Sequence, residues 1–290
     1  MYHSIQDIID ICNEENMEFW EVVQRADMDE RAASSAESWT NMANMYQAMK
    51  DADKNYNARL RSASGLAGGD GEKLRIYNES GRNICGDFIG SVMEKAVKMG
   101  ESNACMRRIV AAPTAGSCGV IPAVFLTAHE KLGFTDEQMI HAMYVSAGVG
   151  AVIAENASIA GASGGCQAEI GSASAMAAAG LVSLQGGTVE NIAHGAALAL
   201  KNMLGLACDP VCGLVEVPCV KRNVAGAVNA VTASQMAMAG IVSAIPVDEV
   251  IDAMRRIGNA MPESLKETAG GGLATTPTAA LIAQRFQKCE

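Results

Sequence analysis

The sequence predicts a mostly α-helical fold, a helical-bundle-like domain with Gly-rich loops, and three observations carry that prediction. Apolar residues make up 49% of the 290-residue chain, yet aromatics only 4%, and 17 residues are Met. A core of Ala, Val, Ile, Leu and Met suits close helix–helix packing, whereas strand-rich folds favour aromatic and β-branched side chains. Helical stripes and caps recur along the chain, and no convincing run of alternating apolar and polar residues appears.

In chain order, the N-terminus MYHSIQDIIDICNEEN is acidic and lacks a basic segment followed by an apolar core, so it does not read as a signal peptide. The stretch SGLAGGDGEKL (64–74) is Gly-rich without a preceding strand, which makes it a surface loop or chain crossing rather than a phosphate cradle. PTAGSCG (113–119) brings small residues to a helix start at Val120. It reads either as a tight interhelical turn, which the local sequence favours, or as a loop whose N–H groups approach an anionic carboxylate. Thr135 followed by Gln138 forms a capping-box pattern ahead of DEQMIHAMYVSA. Thr188 opens VENIAHGAALALKNMLG, with its stop at Gly205. Val247, Val250, Ile251, Met254 and Ile257 make one helical stripe with Gly258 as the stop, and Thr276–Pro277 is an N-cap followed by Pro at the first helical position.

Charge divides this single 1–290 domain into three parts. Residues 1–108 hold 31 of the 54 charged residues, residues 109–247 hold 12, and residues 248–290 the remaining 11. The first part therefore reads as charged peripheral helices, the second as a buried centre, and the third as C-terminal helices and a tail. The longest uncharged stretch, 223–247, is rich in Ala and carries Asn223, Asn229, Thr232, Ser234 and Gln235, so it reads as a buried helix and not a membrane span. A net charge of −10 argues against a nucleic-acid or anionic-membrane partner. Without an export signal the expected compartment is the reducing cytoplasm, where disulfides are not the expected use of the nine cysteines.

Four of those cysteines stand in loops suited to a metal centre. Cys166 follows five small residues in GASGGCQAEIG, and CDPVCGLVEVPC sets Cys208, Cys212 and Cys219 among Pro and Gly. Thiolates are good ligands for soft metals, and such loops fix their direction. The spacing matches neither a ferredoxin nor a zinc ribbon, so spacing alone leaves a cluster site and scattered core thiols both open.

The segments GGCQAEIGSASAMAAAG, KNMLGLACDPVCGLVEVPCVKRN and PTAGSCGVIPAV closely resemble the iron–sulfur L-serine dehydratase (L-serine ammonia-lyase) family, specifically its α chain, and the likeness runs on to GGLATTPTA near the end. The resemblance implies a [4Fe–4S] cluster held by Cys166, Cys208 and Cys219, with one iron left free of thiolate. That iron would act as a Lewis acid on the serine hydroxyl, and loss of water would lead to pyruvate and ammonia. Thr114, Gly116 and Ser117 are the candidates for fixing the substrate carboxylate. Lys201 is a candidate charge partner for it, although an exposed helical lysine is the slightly better local reading. Some family members return a C-terminal cysteine to the cluster as a fourth ligand; Cys289 is the candidate here, against a plain exposed thiol. Cys118 and Cys212 stand where related sequences commonly carry Ala and read as small apolar replacements. His129, His141 and His194 read as ordinary helical residues.

The single-chain members carry a further domain with a Ser-Ser-His-Thr stretch that this sequence lacks, so a separate β subunit is the expected partner and L-serine the expected substrate. The rivals are a cysteine desulfidase-like or threonine-acting lyase of the same family, a pyridoxal-phosphate (PLP) dehydratase, and a non-catalytic iron–sulfur protein. No lysine lies between Lys131 and Lys201, which weighs against PLP.

Overall fold

A computed structural model describes residues 2–287 of the chain. Thirteen α-helices and no strand are found among the described residues: α1 (Ile5–Glu15), α2 (Phe19–Arg31), α3 (Ser35–Lys54), α4 (Asp70–Glu79), α5 (Gly86–Ala104), α6 (Val120–Leu132), α7 (Asp136–Asn156), α8 (Gly161–Gly164), α9 (Ser172–Leu184), α10 (Val189–Lys201), α11 (Cys219–Met238), α12 (Val247–Ala260) and α13 (Pro277–Gln287). The mostly helical expectation holds. No helix in the described part is long and apolar enough to cross a membrane.

The centre is α9, whose sequence SASAMAAAGLVSL is buried nearly all round. Helices α6, α7, α10 and α11 surround it. Small residues make this possible. A Cβ on Gly180 would lie 2.8 Å from the Ala142 carbonyl oxygen of α7, so the two backbones meet more closely than any larger residue permits. Helices α1 and α2 join the same core through Ile5, Ile8, Phe19 and Val22. The N-terminus of α1 is closed by Asp248 of α12, whose carboxylate accepts from the Ile5 and Gln6 N–H groups at 2.8 and 3.0 Å.

Most local signals are realised. Thr135 and Gln138 form the capping box of α7, Thr188 caps α10, and α13 starts at Pro277. Two boundaries differ. Helix α10 stops at Lys201, and residues 202–205 continue as turns to Gly205, whose φ is +82°. Helix α12 runs through Gly258 to Ala260, so Gly258 is a packing residue and no stop: a Cβ there would sit 2.9 Å from the Gly164 Cα. That contact seats α12 directly behind the loop bearing Cys166.

The Gly-rich stretch at 64–74 does more than cross the surface. The N–H groups of Gly68, Asp70 and Gly71, at the start of α4, donate to the buried Glu101 carboxylate at 3.1, 2.8 and 3.2 Å, and the Tyr56 hydroxyl adds a fourth bond at 2.5 Å. An anion-binding nest is thus occupied by the protein's own carboxylate. Replacing it with a methyl group strands several buried donors, each costing about 1–3 kcal/mol. Glu101→Ala is therefore expected to lower stability by about 3 kcal/mol or more, measured as a fall in the thermal-unfolding midpoint; an unchanged midpoint would show the nest to be satisfied by water.

Candidate metal centre

Four segments converge beside α9. The first is the turn around Cys166. Gly165, at φ +76° and ψ 179°, occupies a region closed to side chains, and a Cβ there would also strike the Leu206 carbonyl oxygen at 2.9 Å. After Cys166 the chain forms one π-helical turn, Gln167–Gly171, before α9 begins. Such a turn shifts helical phase by a residue, and Glu169 within it faces the same space as Cys166. Gln167 pins the turn: its Nε2 donates to the Met254 carbonyl at 3.0 Å and its Oε1 accepts from the Gly205 N–H at 2.9 Å.

The second segment carries Cys208, tied by a parallel bridge to Lys266. The Cys208 N–H donates to the Leu265 carbonyl at 2.8 Å, and the Glu267 N–H donates to the Cys208 carbonyl at 2.7 Å. The third is the first turn of α11, which opens on Cys219. The fourth is PTAGSCG, where the Thr114 hydroxyl donates to Glu169 Oε1 at 2.7 Å. The buried Asn223 side chain links the last two segments, donating to the Gly116 carbonyl at 2.8 Å and the Cys219 carbonyl at 2.9 Å while accepting from the Gly119 N–H at 2.8 Å.

The Cys166 and Cys208 sulfurs and a Glu169 oxygen all lie within 4.8 Å of one another. Glycine makes room for them. A Cβ on Gly161 would stand 2.9 Å from the Cys208 sulfur and 2.8 Å from Glu169 Oε2, and one on Gly116 would stand 3.0 Å from Glu169 Oε1. The two thiols are free and buried. They differ in acidity: the adjoining Cys208 thiol, with the Arg222 charge nearby, pushes Cys166 below the usual thiol range, while the adjoining Cys166, burial and the Glu169 charge push Cys208 up. Burial, then the charges of Cys166 and Glu169, raises Cys219 to about 12. Burial also raises the Glu169 carboxyl, against the opposing Thr114 hydrogen bond. A soft, buried set of thiols beside one hard carboxyl suits a sulfur-ligated metal centre with a proton acceptor at its edge.

Of the residues singled out from the sequence, Thr114 and Gly116 reach this space directly. Ser117 is buried behind them, its Oγ accepting from the Thr114 N–H at 3.3 Å. Lys201 lies at the end of α10 and donates to Ser243 Oγ at 2.8 Å; it makes no hydrogen bond or ion pair with the group. Cys118 faces the Met99 carbonyl at 3.7 Å in the core, and Cys212 is exposed. Cys289 lies outside the described residues. His129 bonds the Phe134 carbonyl, His141 stacks on Trp20, and His194 accepts from the Ser243 N–H. Sequence reasoning passed over Glu169, Asp209, Arg222 and Asn223. All four lie in the motifs already quoted, and Glu169 and Arg222 are among only 12 charged residues between 109 and 247. That scarcity was the available signal.

Comparison with known proteins gives one consistent answer. The serine dehydratase alpha chain family matches residues 14–274. The chain is 48% identical over 278 residues to the protein named probable L-serine dehydratase, alpha chain, of Bacillus subtilis (strain 168), covering 96% of this chain and 93% of that one. It is 41% identical over 289 residues to the L-serine dehydratase alpha chain of Peptoniphilus asaccharolyticus, covering 99% of each. To L-serine dehydratase TdcG of Escherichia coli (strain K12) it is 35% identical over 284 residues, which is 94% of this chain but 61% of that longer protein.

Proposed function

The chain belongs to the serine dehydratase alpha chain family, and from that premise we propose that it is the α subunit of a cytoplasmic L-serine dehydratase in which Cys166, Cys208 and Cys219 hold a [4Fe–4S] cluster. The observation that carries the cluster is the approach of two buried, free cysteines, Cys166 and Cys208, within 4.8 Å of each other and of Glu169 in a space that Gly161 and Gly116 keep clear, with the buried Cys219 tied to the neighbouring turn through Asn223. When bound, the cluster supplies a Lewis-acidic iron for the departing hydroxyl.

The chain's own groups do the rest. Glu169 takes the Cα proton on Oε2, the oxygen not engaged by Thr114. Thr114 orients that carboxyl, and burial holds its affinity for a proton above that of an exposed glutamate. The substrate carboxylate sits against the Thr114–Ser117 turn, where the Ala115 and Gly116 N–H groups have no partner among the described residues. Serine thereby loses water to give aminoacrylate, which tautomerises to an imine and hydrolyses to pyruvate and ammonia. A separate β chain completes the assembly; the alpha-chain names of the close relatives and the greater length of TdcG support that partner.

The test is anaerobic. The chain is reconstituted with iron and sulfide, its visible spectrum recorded, and pyruvate assayed on addition of L-serine with and without the β chain. A brown cluster whose spectrum shifts with serine and that turns over is expected. A colourless chain, or a cluster indifferent to serine with β present, sinks the proposal.

A further inference from the structure

We infer that Arg222 is the positioning residue of this centre, a single guanidinium that holds the Cys208 and Cys219 segments in register and offsets the charge gathered beside them; the inference rests on the cluster reading above. Arg222 lies three residues after Cys219 in the first turn of α11, so both side chains share one helix face. Its Nη1 donates to the Ala207 carbonyl at 2.7 Å, and its Nη2 to Asp209 Oδ1 at 2.8 Å. These partners are the residues on either side of Cys208. Its positive charge also acts on Cys166, favouring the thiolate there. One side chain thus ties the Cys219 helix turn to both neighbours of Cys208 and sets its charge to act on Cys166.

The far side of the clamp is fixed as well. Asp209, buried to 8% side-chain exposure, accepts the Leu273 N–H on its second oxygen at 2.8 Å, which ties the fork to the C-terminal segment. The neighbouring Lys221 cannot substitute, because it is exposed and paired with Asp70 of α4 at 2.7 Å. Only arginine has a planar fork that satisfies a carbonyl and a carboxylate together and stays charged at any working pH. With the cluster bound, three thiolates beside Glu169 and Glu267 would make the surroundings strongly negative. A fixed cation beside one thiolate would favour both cluster retention and electron uptake by the cluster, since partners around the ligands tune metal affinity and potential.

A residue that merely braced the 207–209 loop would affect unfolding alone, so the readouts are iron and sulfide retained per chain and the cluster midpoint potential. Wild type, Arg222→Gln, Arg222→Lys and Asp209→Asn are reconstituted anaerobically, desalted and titrated under EPR. Arg222→Gln is expected to retain about tenfold less iron, within the range for lost outer-shell partners, and to shift the potential negative. Arg222→Lys should restore the potential towards wild type through its charge but not the iron retention, which needs the fork. Asp209→Asn, which keeps the cation and its bond to the Ala207 carbonyl, should lose less iron than Arg222→Gln. Wild-type retention and potential in Arg222→Gln would overturn the inference, as would a lowered unfolding midpoint with both readouts unchanged. If Arg222→Gln does not fold, wild-type iron retention in Arg222→Lys overturns the fork. A wild-type chain that takes up no iron removes the cluster reading itself, a result distinct from any of these.

Discussion

Glu169→Gln is expected to lower turnover by about two to four orders of magnitude, the usual worth of a positioned acid–base group, with iron content and unfolding midpoint unchanged. The substitution keeps shape and keeps an oxygen for the Thr114 hydroxyl, which donates to Oε1. What it removes is the proton-accepting oxygen that faces the Cys208 sulfur at 4.0 Å. The pH dependence separates this role from a structural one. A base works only when unprotonated, so activity falls as pH drops through its pKa. Burial raises that pKa, and the acid limb of kcat/KM should lie above the ordinary glutamate value of about 4.3. Thr114→Val removes a hydrogen bond that favours the charged carboxylate, so it should move the limb higher still. Near-wild-type turnover in Glu169→Gln would leave Glu169 as a mere partner for Thr114 and send the search for the base to the β chain.

The helices were legible where their signals are local. A stripe such as Val247, Val250, Ile251 and Met254, or a box such as Thr135 with Gln138, is written within one or two turns. What escaped were decisions made by distant partners. Gly258 looks like a helix stop until Gly164 lies against it, and the glycines at 68–71 look like a bare loop until Glu101, thirty residues on, fills their nest. Here tertiary contact outvoted propensity.

The site divides in the same way. Cys166, Cys208 and Cys219 were marked out by motif likeness, and their loops by Gly and Pro. Glu169 was hidden because its direction depends on a π-helical turn, a one-residue change of phase that no periodicity announces. Arg222 was hidden because an arginine beginning a helix ordinarily faces solvent; its meaning comes only with Ala207 and Asp209 folded over it. Both stood out in one respect, as charges in a segment nearly devoid of them. A lone charge in an apolar stretch is costly to bury and is kept where it has a partner or a task.

Cys219→Ala and Cys118→Ala make the sharpest test of the ligand set, and the expected results are opposite. Both thiols are buried, and burial pushes both up to about 12, so neither is marked as a ligand by its own acidity. Their neighbours differ. Cys118 points into the core at the Met99 carbonyl, whereas Cys219 feels the charges of Cys166 and Glu169 and is held by Asn223 against the PTAGSCG turn. A ligand thiol must surrender its proton to the metal, so loading the cluster has to overcome the cost of a thiolate in that buried place. Removing Cys219 should therefore abolish the visible absorption and bring pyruvate formation to background, with the apo chain still folded. Removing Cys118 deletes only a sulfur from packed surroundings; it should cost about 1 kcal/mol of stability and leave iron, spectrum and turnover near wild type. Loss of iron in Cys118→Ala with retention in Cys219→Ala would reverse the assignment and place the third ligand on the PTAGSCG turn. Retention in both would leave two thiolates, Cys166 and Cys208, too few for the proposed cluster, and would make Glu169 a ligand in place of a base.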